Sequence, residues 1–228
     1  GIIWSPSVLA DAKEHGLLLT ADGKLLDTIA GDEAPDDDQL VQPLTAEQLA
    51  TLPHYSEGQM RARIAAAEDI DWSDRALLDS ALPGGGVEVG PVIGFGFSEN
   101  RDQLPRIVAP HGHAATWLRA KPGQGVSLHR HAENTVLMVK DGDWEITVNR
   151  GSEALSVVLS EWGMVSIPPN TFRSMRNVGE TDALMLVVTS GDGRVRLEWD
   201  DEVVKAAADA GDAIDHNGYL APYALVPR

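Results

Sequence analysis

The chain has 228 residues, a length that suits one large or two small domains. Its content of 43% hydrophobic and 23% charged residues is typical of a globular protein. Its formal net charge of -17 argues against nucleic acid as a ligand, because phosphates would be repelled and no cluster of Lys and Arg offers a contact. There is no cysteine for a disulfide or a thiolate metal site, and no apolar run reaches the roughly 18 residues of a membrane span, so we expect a cytoplasmic protein with neither nucleic acid nor membrane as a partner.

Residues 1–28 begin with the pattern of a short helix. Ser5 is placed to cap the helix, Pro6 occupies its first turn and Gly16 follows its last turn. The same pattern returns at a constant offset of 195 residues. Six identities fall on that offset without a gap: Trp4 with Trp199, Val8 with Val203, Ala12 with Ala207, Gly16 with Gly211, Gly23 with Gly218 and Leu25 with Leu220. The repeat indicates duplication, although a Trp followed by a capped helix can also recur by convergence.

Residues 29–83 are predicted to form a linker and a helical arm. Residues 29–42 are acidic, contain Gly and Pro and lack periodicity, which is typical of a linker. Thr45 and Gln48 form the capping-box pattern of a short helix, and the residues from Met60 onward have a helical composition.

Residues 84–198 consist of short apolar runs, rich in β-branched residues, between turn signals. The runs include TVLMV, WEITV, ALSVVL, MVSI and ALMLVV. Many short strands at this spacing predict an all-β sandwich or barrel. A helix near 201–210 is predicted within the remaining segment, 199–228.

Two stretches of the predicted barrel carry a distinctive spacing. The first reads PGQGVSLHRHAENTVLMVKDG and places Gly123, His129, His131 and Gly142 at intervals that resemble the first motif of the cupin superfamily. That motif has a Glu after its His-x-His pair, and Thr135 stands in the place of the Glu.

The second stretch reads GMVSIPPNTFRSMRN and resembles the second cupin motif at one residue less after its first Gly. Gly163, Pro168 and Asn177 match the motif. Asn170 replaces its middle Gly, and Arg173 replaces its His. The frame of both motifs is therefore kept, while two of the four usual metal ligands are replaced.

The resemblance, which covers about a quarter of the chain, implies an all-β fold: a cupin, jelly-roll-like, double-stranded β-barrel over 84–198, with a partly helical N-terminal arm and a short C-terminal helix. Because the second copy of the repeat follows this barrel, residues 1–28 resemble the end of a preceding cupin. We therefore interpret the chain as the C-terminal half of a bicupin. Cupins generally pair through exposed sheet edges, so the resemblance also implies a homo-oligomer.

The two histidines are candidate metal ligands. His129 and His131 alternate with Arg130 along a predicted strand, so their imidazoles share one face. Two neutral imidazoles suit a divalent ion such as Fe, Mn, Ni or Zn, but two nitrogens are an incomplete ligand set. Glu133 completes the set if the strand stays extended, and it faces solvent if the chain turns, as the resemblance implies.

Arg173 and Thr135 are candidate substrate contacts. If Arg173 takes the place of the family's histidine, it repels a divalent ion about 5 Å away by roughly 6–7 kcal/mol at an effective dielectric constant near 20. In one alternative, Arg173 holds a substrate carboxylate beside a weakly bound metal. In another, the metal is lost and the pocket binds an organic anion. In a third, Arg173 pairs with a surface Asp or Glu.

Within the superfamily, the His-Arg-His run without the Glu resembles the gentisate-type ring-cleaving dioxygenases, which hold Fe(II) with three histidines. Arg173 departs from that pattern. The first hypothesis is an oxygenase-like barrel of a bicupin that acts on a small anionic or aromatic compound through a divalent metal. The second is a non-catalytic cupin domain that supplies dimer contacts or binds a small organic anion, with the metal site lost.

Overall fold

A computed structural model describes residues 4–226, and the chain divides into two units, residues 1–58 and residues 59–228. The first three residues of the predicted segment 1–28 and the last two of 199–228 lie outside the described residues. Within residues 4–226, no helix has the length and apolar character needed to cross a membrane.

The first unit contains a helix, a hairpin and a second helix. Its elements are α1 (Pro6–Glu14), β1 (Leu17–Leu19), β2 (Leu25–Asp27) and α2 (Ala46–Ala50). Ser5 caps α1 by accepting a hydrogen bond from the Val8 amide, which confirms the predicted helix. The hairpin buries Leu18 against Leu26, its cross-strand partner.

The predicted arm is less helical than its composition suggests. The capping box between Thr45 and Gln48 is present at the start of α2. The helix predicted from Met60 onward is shorter than expected, because α3 (Glu57–Arg61) ends one residue after Met60. A single turn of 3-10 helix, Ala67–Asp69, follows it. α3 has no buried residue, and helices this short are marginal without a packed face.

The second unit is built on two five-stranded antiparallel sheets. The strands of the first sheet are β3 (Glu88–Ile93), β4 (His113–Ala120), β6 (Thr135–Asp141), β9 (Met164–Ile167) and β11 (Ala183–Ser190). Those of the second are β5 (Gly125–Arg130), β7 (Trp144–Val148), β8 (Leu155–Leu159), β10 (Arg173–Asn177) and β12 (Glu198–Trp199).

The strand order makes this a double-stranded barrel of the jelly-roll type. The first sheet runs β3-β4-β11-β6-β9 and the second β12-β5-β10-β7-β8, so strands that follow each other in the chain often lie in opposite sheets. Inward side chains from both sheets form one core, in which Leu118, Leu137, Trp144, Ile146 and Met185 are almost fully buried. The predicted all-β barrel is confirmed.

β5, the strand that contains His129, has a β-bulge where it pairs with β10. Arg173 pairs with His129 and Met175 with Val126, so two residues of β5 oppose the single residue between Arg173 and Met175. One extra residue reverses the alternation of side chains. Val126 is therefore buried in the core like His129, although the two residues lie three positions apart along the strand.

The last elements pack against the core of the second unit. They are α4 (Asp201–Asp209), as predicted, and the hairpin β13 (Asp212–Ile214) with β14 (Leu220–Pro222). Ala207 of α4 is fully buried, and Val203 and Leu220 pack against the barrel core.

Candidate functional site

The tertiary structure brings His129, His131 and Arg173 together inside the barrel. The exposed fractions of these residues are 4%, 5% and 0%. Arg173 on β10 is the cross-strand partner of His129 on β5, and the ring centroids of the two histidines are 6.3 Å apart. Cross-strand partners project to the same face of a sheet, so the guanidinium and the imidazoles share one buried site.

His129 is held as a neutral imidazole. Its Nδ1 lies 2.7 Å from the Ser127 carbonyl oxygen, which can only accept, so Nδ1 carries the proton and Nε2 keeps its lone pair. Burial, together with the charge of Arg173, lowers the pKa of His129 to about 4. The Trp199 ring lies 5.4 Å from the His129 ring, measured between centroids, and forms an aromatic wall.

His131 is neutral as well, and both of its nitrogens contact neighbouring side chains. Its Nδ1 lies 3.1 Å from Glu133 Oε2, and its Nε2 lies 3.2 Å from the Thr135 hydroxyl. Burial, followed by the charges of Arg173 and His129, lowers the pKa of His131 to about 3. Nδ1 therefore donates to the carboxylate, and the Thr135 hydroxyl donates to Nε2.

These contacts show that Glu133 and Thr135 both hold His131. The strand ends before Glu133, as the resemblance implied, but the carboxylate folds back onto His131 instead of facing solvent. Thr135, predicted as a substrate contact, is buried and orients His131 through its hydroxyl.

The guanidinium of Arg173 lacks hydrogen-bond acceptors among the described residues. None of its three guanidinium nitrogens has a hydrogen-bond partner among residues 4–226. Burial lowers the pKa of Arg173 to about 10, while the charge of Glu133 acts in the opposite direction, so the side chain is still cationic at neutral pH. Because Arg173 is fully buried, its predicted alternative pairing with a surface carboxylate is wrong.

Asn170 explains one of the departures from the second motif. Its φ of +59° lies in the left-handed region, where Asn is the best tolerated residue after Gly. The backbone N–H of Asn170 donates to the backbone carbonyl of His131 at 2.7 Å. This bond connects the turn before β10 to the residue that follows β5. The turn thus positions Arg173 opposite the histidines.

The protein side chains do not fit a complete metal site. Among residues 4–226, no three His, Cys, Asp or Glu side chains come together so as to hold a metal ion. Of the two buried histidines, His129 keeps a ring nitrogen without a partner among residues 4–226, whereas both nitrogens of His131 have partners. The cationic Arg173 takes the place where a further ligand would be needed.

Two buried carboxyl groups support the histidines, and the sequence offered no signal for either, since they come from irregular segments far apart in the chain. Asp79 accepts a hydrogen bond from the Ser127 amide at 2.6 Å, next to the carbonyl that holds His129. Glu99 accepts from the Trp199 indole at 2.9 Å. Burial raises the pKa of Asp79 and raises that of Glu99 to about 8.

Two antiparallel sheets in this strand order, packed face to face around one core, form a barrel of the cupin fold. Neither a family model nor a curated protein matches the chain.

Solved structures of similar fold include both enzymes and domains of other kinds. The CENP-C cupin domain of Drosophila melanogaster matches over 60% of this chain and 82% of its own, with 17% identity and a TM-score of 0.40. Oxalate decarboxylase from Bacillus subtilis matches over 50% of this chain and 27% of its own, with 14% identity and a TM-score of 0.40. An RmlC-like cupin from Shewanella frigidimarina matches over 55% of this chain and 87% of its own, with 17% identity and a TM-score of 0.39.

Proposed function

We propose that the barrel binds a small organic anion in its interior, with the guanidinium of Arg173 as the anchor. One observation carries the proposal: this side chain is fully buried, and its three nitrogens lack a hydrogen-bond partner among the residues described. A carboxylate accepts two parallel hydrogen bonds from a guanidinium. A carboxylate ligand therefore satisfies both the charge and the donors.

The energetics favour a ligand at this position. A buried charge without a partner costs several kcal/mol, and each buried donor left without an acceptor adds about 1–3 kcal/mol. Glu133 is the nearest source of opposite charge, but its carboxylate contacts His131 and accepts no hydrogen bond from Arg173. A bound anion offsets this cost, so part of the free energy spent on burying the guanidinium contributes to affinity for the ligand.

The neighbours of Arg173 narrow the class of anion. His129 is neutral and keeps an acceptor nitrogen, Nε2, that suits a ligand hydroxyl group. The Trp199 ring beside it suits an aromatic or apolar portion. Hydroxycarboxylates and aromatic carboxylates combine these features, which agrees with the small anionic or aromatic ligand predicted from the sequence.

Binding can be tested by thermal unfolding and calorimetry with salicylate, benzoate, lactate and succinate, and with phosphate and chloride as inorganic anions. We expect at least one carboxylate to raise the unfolding temperature of the wild type and to give a saturable binding isotherm. Arg173→Met should abolish both effects, and Arg173→Lys should weaken them, because an ammonium keeps the charge but loses the planar fork.

The matched control is Arg176→Met. Arg176 lies on the same strand, but it is exposed on the outer face of the sheet. This variant should bind like the wild type. Equal stabilisation of the wild type and Arg173→Met by every carboxylate would overturn the proposal.

A second candidate function keeps the metal of the dioxygenase hypothesis. Its support is that both histidines are neutral and that His129 keeps the lone pair of Nε2 for a divalent ion. His131 would contribute its Nε2 only after the Thr135 hydroxyl turned away. The protein side chains alone do not complete such a site, so the ion would require donors from the bound anion. Elemental analysis with and without the carboxylate tests it: stoichiometric Fe, Mn, Ni or Zn only in the presence of the anion, and lost in His129→Ala, supports this candidate.

A further inference from the structure

The repeat in the sequence is also a repeat of structure. At the offset of 195 residues, α1 corresponds to α4, β1 to β13 and β2 to β14, with the same first and last residue in each pair. The strand pairing corresponds as well: Leu18 pairs with Leu26, and Ala213 pairs with Ala221. We call residues 4–27 the N-terminal module and residues 199–222 the C-terminal module.

Backbone hydrogen bonds reproduce the correspondence. The amide of Gly23 donates to the Thr20 carbonyl at 2.8 Å, and that of Gly218 donates to the Asp215 carbonyl at 2.8 Å. The bond that closes each module also recurs at the offset, from the amide of Thr28 to Gly16 and from the amide of Tyr223 to Gly211. Convergence of one Trp and two helix caps does not account for a shared network of this extent.

The C-terminal module contacts the barrel through side chains that recur in the N-terminal module. Its Trp199 is 7% exposed and donates from the indole to the carboxyl group of Glu99, which belongs to the barrel. The Leu220 amide donates to the Glu99 carbonyl at 2.9 Å, and Val203 and Leu220 pack on the barrel core. The module therefore packs on the barrel core through one Trp and two aliphatic side chains.

The N-terminal module keeps these side chains but leaves them uncovered. Trp4, Val8 and Leu25, the counterparts of Trp199, Val203 and Leu220, have exposed fractions of 41%, 47% and 62%. α1 has no buried residue, whereas Ala207 of α4 is fully buried. An apolar face of this kind normally marks an interaction site.

We propose that the N-terminal module docks on a second barrel of the cupin fold, through Trp4, Val8 and Leu25, in the way that the C-terminal module docks on the barrel of this chain. The corresponding surface of this barrel is already covered by its own module. The partner is therefore a separate barrel on which the corresponding surface is uncovered, with an apolar cleft and a buried oxygen that accepts the Trp4 indole N–H.

The differences between the modules specify the partner further. Asp212 forms an ion pair with Arg75 of the barrel, at 2.8 Å, but its counterpart in the N-terminal module is Leu17. Asp215 pairs with Arg101, and its counterpart is Thr20. The partner barrel should thus present an apolar residue where this barrel has Arg75, and it does not need a cation in the place of Arg101.

A transplant of the module in the full chain tests the proposal. Residues 199–222 are replaced by the sequence of residues 4–27, which has the same length, and Arg75→Leu is added to remove the unpaired cation. We expect this chimera to unfold cooperatively. The matched control carries Trp4→Ser and Val8→Asp in the transplanted copy, and we expect its unfolding temperature to be lower by roughly 10 °C. A chimera no more stable than this control would overturn the proposal.

Two measurements on the unaltered chain keep the proposal testable if the chimera does not fold. Amide hydrogen exchange in α1 should be at least about 10-fold faster than in α4, because α1 has no covering surface. Equal protection of both helices would contradict the proposal. Sedimentation of the wild type and Trp4→Ser should give the same mass, whereas an oligomer that Trp4→Ser dissociates would assign the face to a second copy of this chain.

Discussion

The guanidinium of Arg173 faces the imidazole of His129 across the pairing of β10 with β5, and both side chains are buried. A cation in the position where the cupin motif has a histidine changes what the interior can bind. The neutral histidines and the unpaired guanidinium favour an anion over a metal ion held by protein ligands alone.

The first prediction concerns the free energy of unfolding, which the buried guanidinium of Arg173 lowers in the absence of a ligand. Arg173→Met removes a buried charge without a partner and retains most of the side-chain volume, so the ligand-free variant should be more stable than the wild type by about 1–3 kcal/mol. Urea denaturation in a buffer without carboxylates measures the difference. A variant less stable than the wild type by more than 1 kcal/mol would show that the guanidinium has partners within the protein.

The second prediction restores the two missing ligands of the motifs. Thr135 lies next to His131, and Arg173 is opposite His129, so Thr135→Glu combined with Arg173→His places a carboxylate and a third imidazole in the site. We expect the double variant to bind Ni, Mn or Zn ions in calorimetry. Thr135→Glu alone is the control and should bind on the order of 100-fold more weakly, because Arg173 repels the ion. Equal affinities would mean that Arg173 does not act on this position.

The third prediction is a dependence of stability on pH that originates at Glu99. Burial raises the pKa of Glu99 to about 8, above the value near 4.3 of an unfolded chain. The folded state therefore binds a proton that the unfolded state has lost, and this contribution to stability is present at low pH and declines as the pH rises from about 5 to 8.

Glu99→Gln removes this contribution and retains every other titrating group, including the buried Asp79, whose charge also raises the pKa of Glu99. The advantage of the wild type over the variant in unfolding free energy should shrink between pH 5.5 and 7.5, by at most about 1.4 kcal/mol per pH unit. Urea denaturation at intermediate pH values measures it. A constant difference across this range would rule out a raised pKa at Glu99.

The fourth prediction concerns the turn that positions Arg173. Asn170 has a φ of +59°, so Asn170→Ala places a side chain with a steric penalty in the left-handed region and should cost about 1 kcal/mol. Asn170→Gly is the matched control, and it should change the stability by less than about 0.5 kcal/mol, because Gly adopts this conformation freely. Thermal unfolding should show a shift of roughly 2–4 °C for the Ala variant. Equal effects of both substitutions would indicate that the Asn side chain, not its backbone, matters.

Local patterns in the sequence were sufficient for the elements of the fold. The capped helix after Ser5, the capping box at Thr45 and the short β-branched runs all depend on residues close in the chain, and each element forms as predicted. The exception is the helix expected after Met60, since composition alone does not stabilise a helix without a packed face. The repeat was visible because its six identities keep one offset.

The sequence by itself determined an all-β barrel, and it predicted a candidate site at His129, His131 and Arg173 and a repeat at an offset of 195 residues. Only the tertiary structure decided that Arg173 is buried with no hydrogen-bond partner in the described part of the chain, that Glu133 and Thr135 hold His131, and that Glu99 supports the site through Trp199. These are contacts between side chains whose directions depend on turns, on a bulge and on the closure of one sheet over another. Burial and hydrogen bonding are properties of such three-dimensional surroundings, and the spacing of residues along a chain does not specify them.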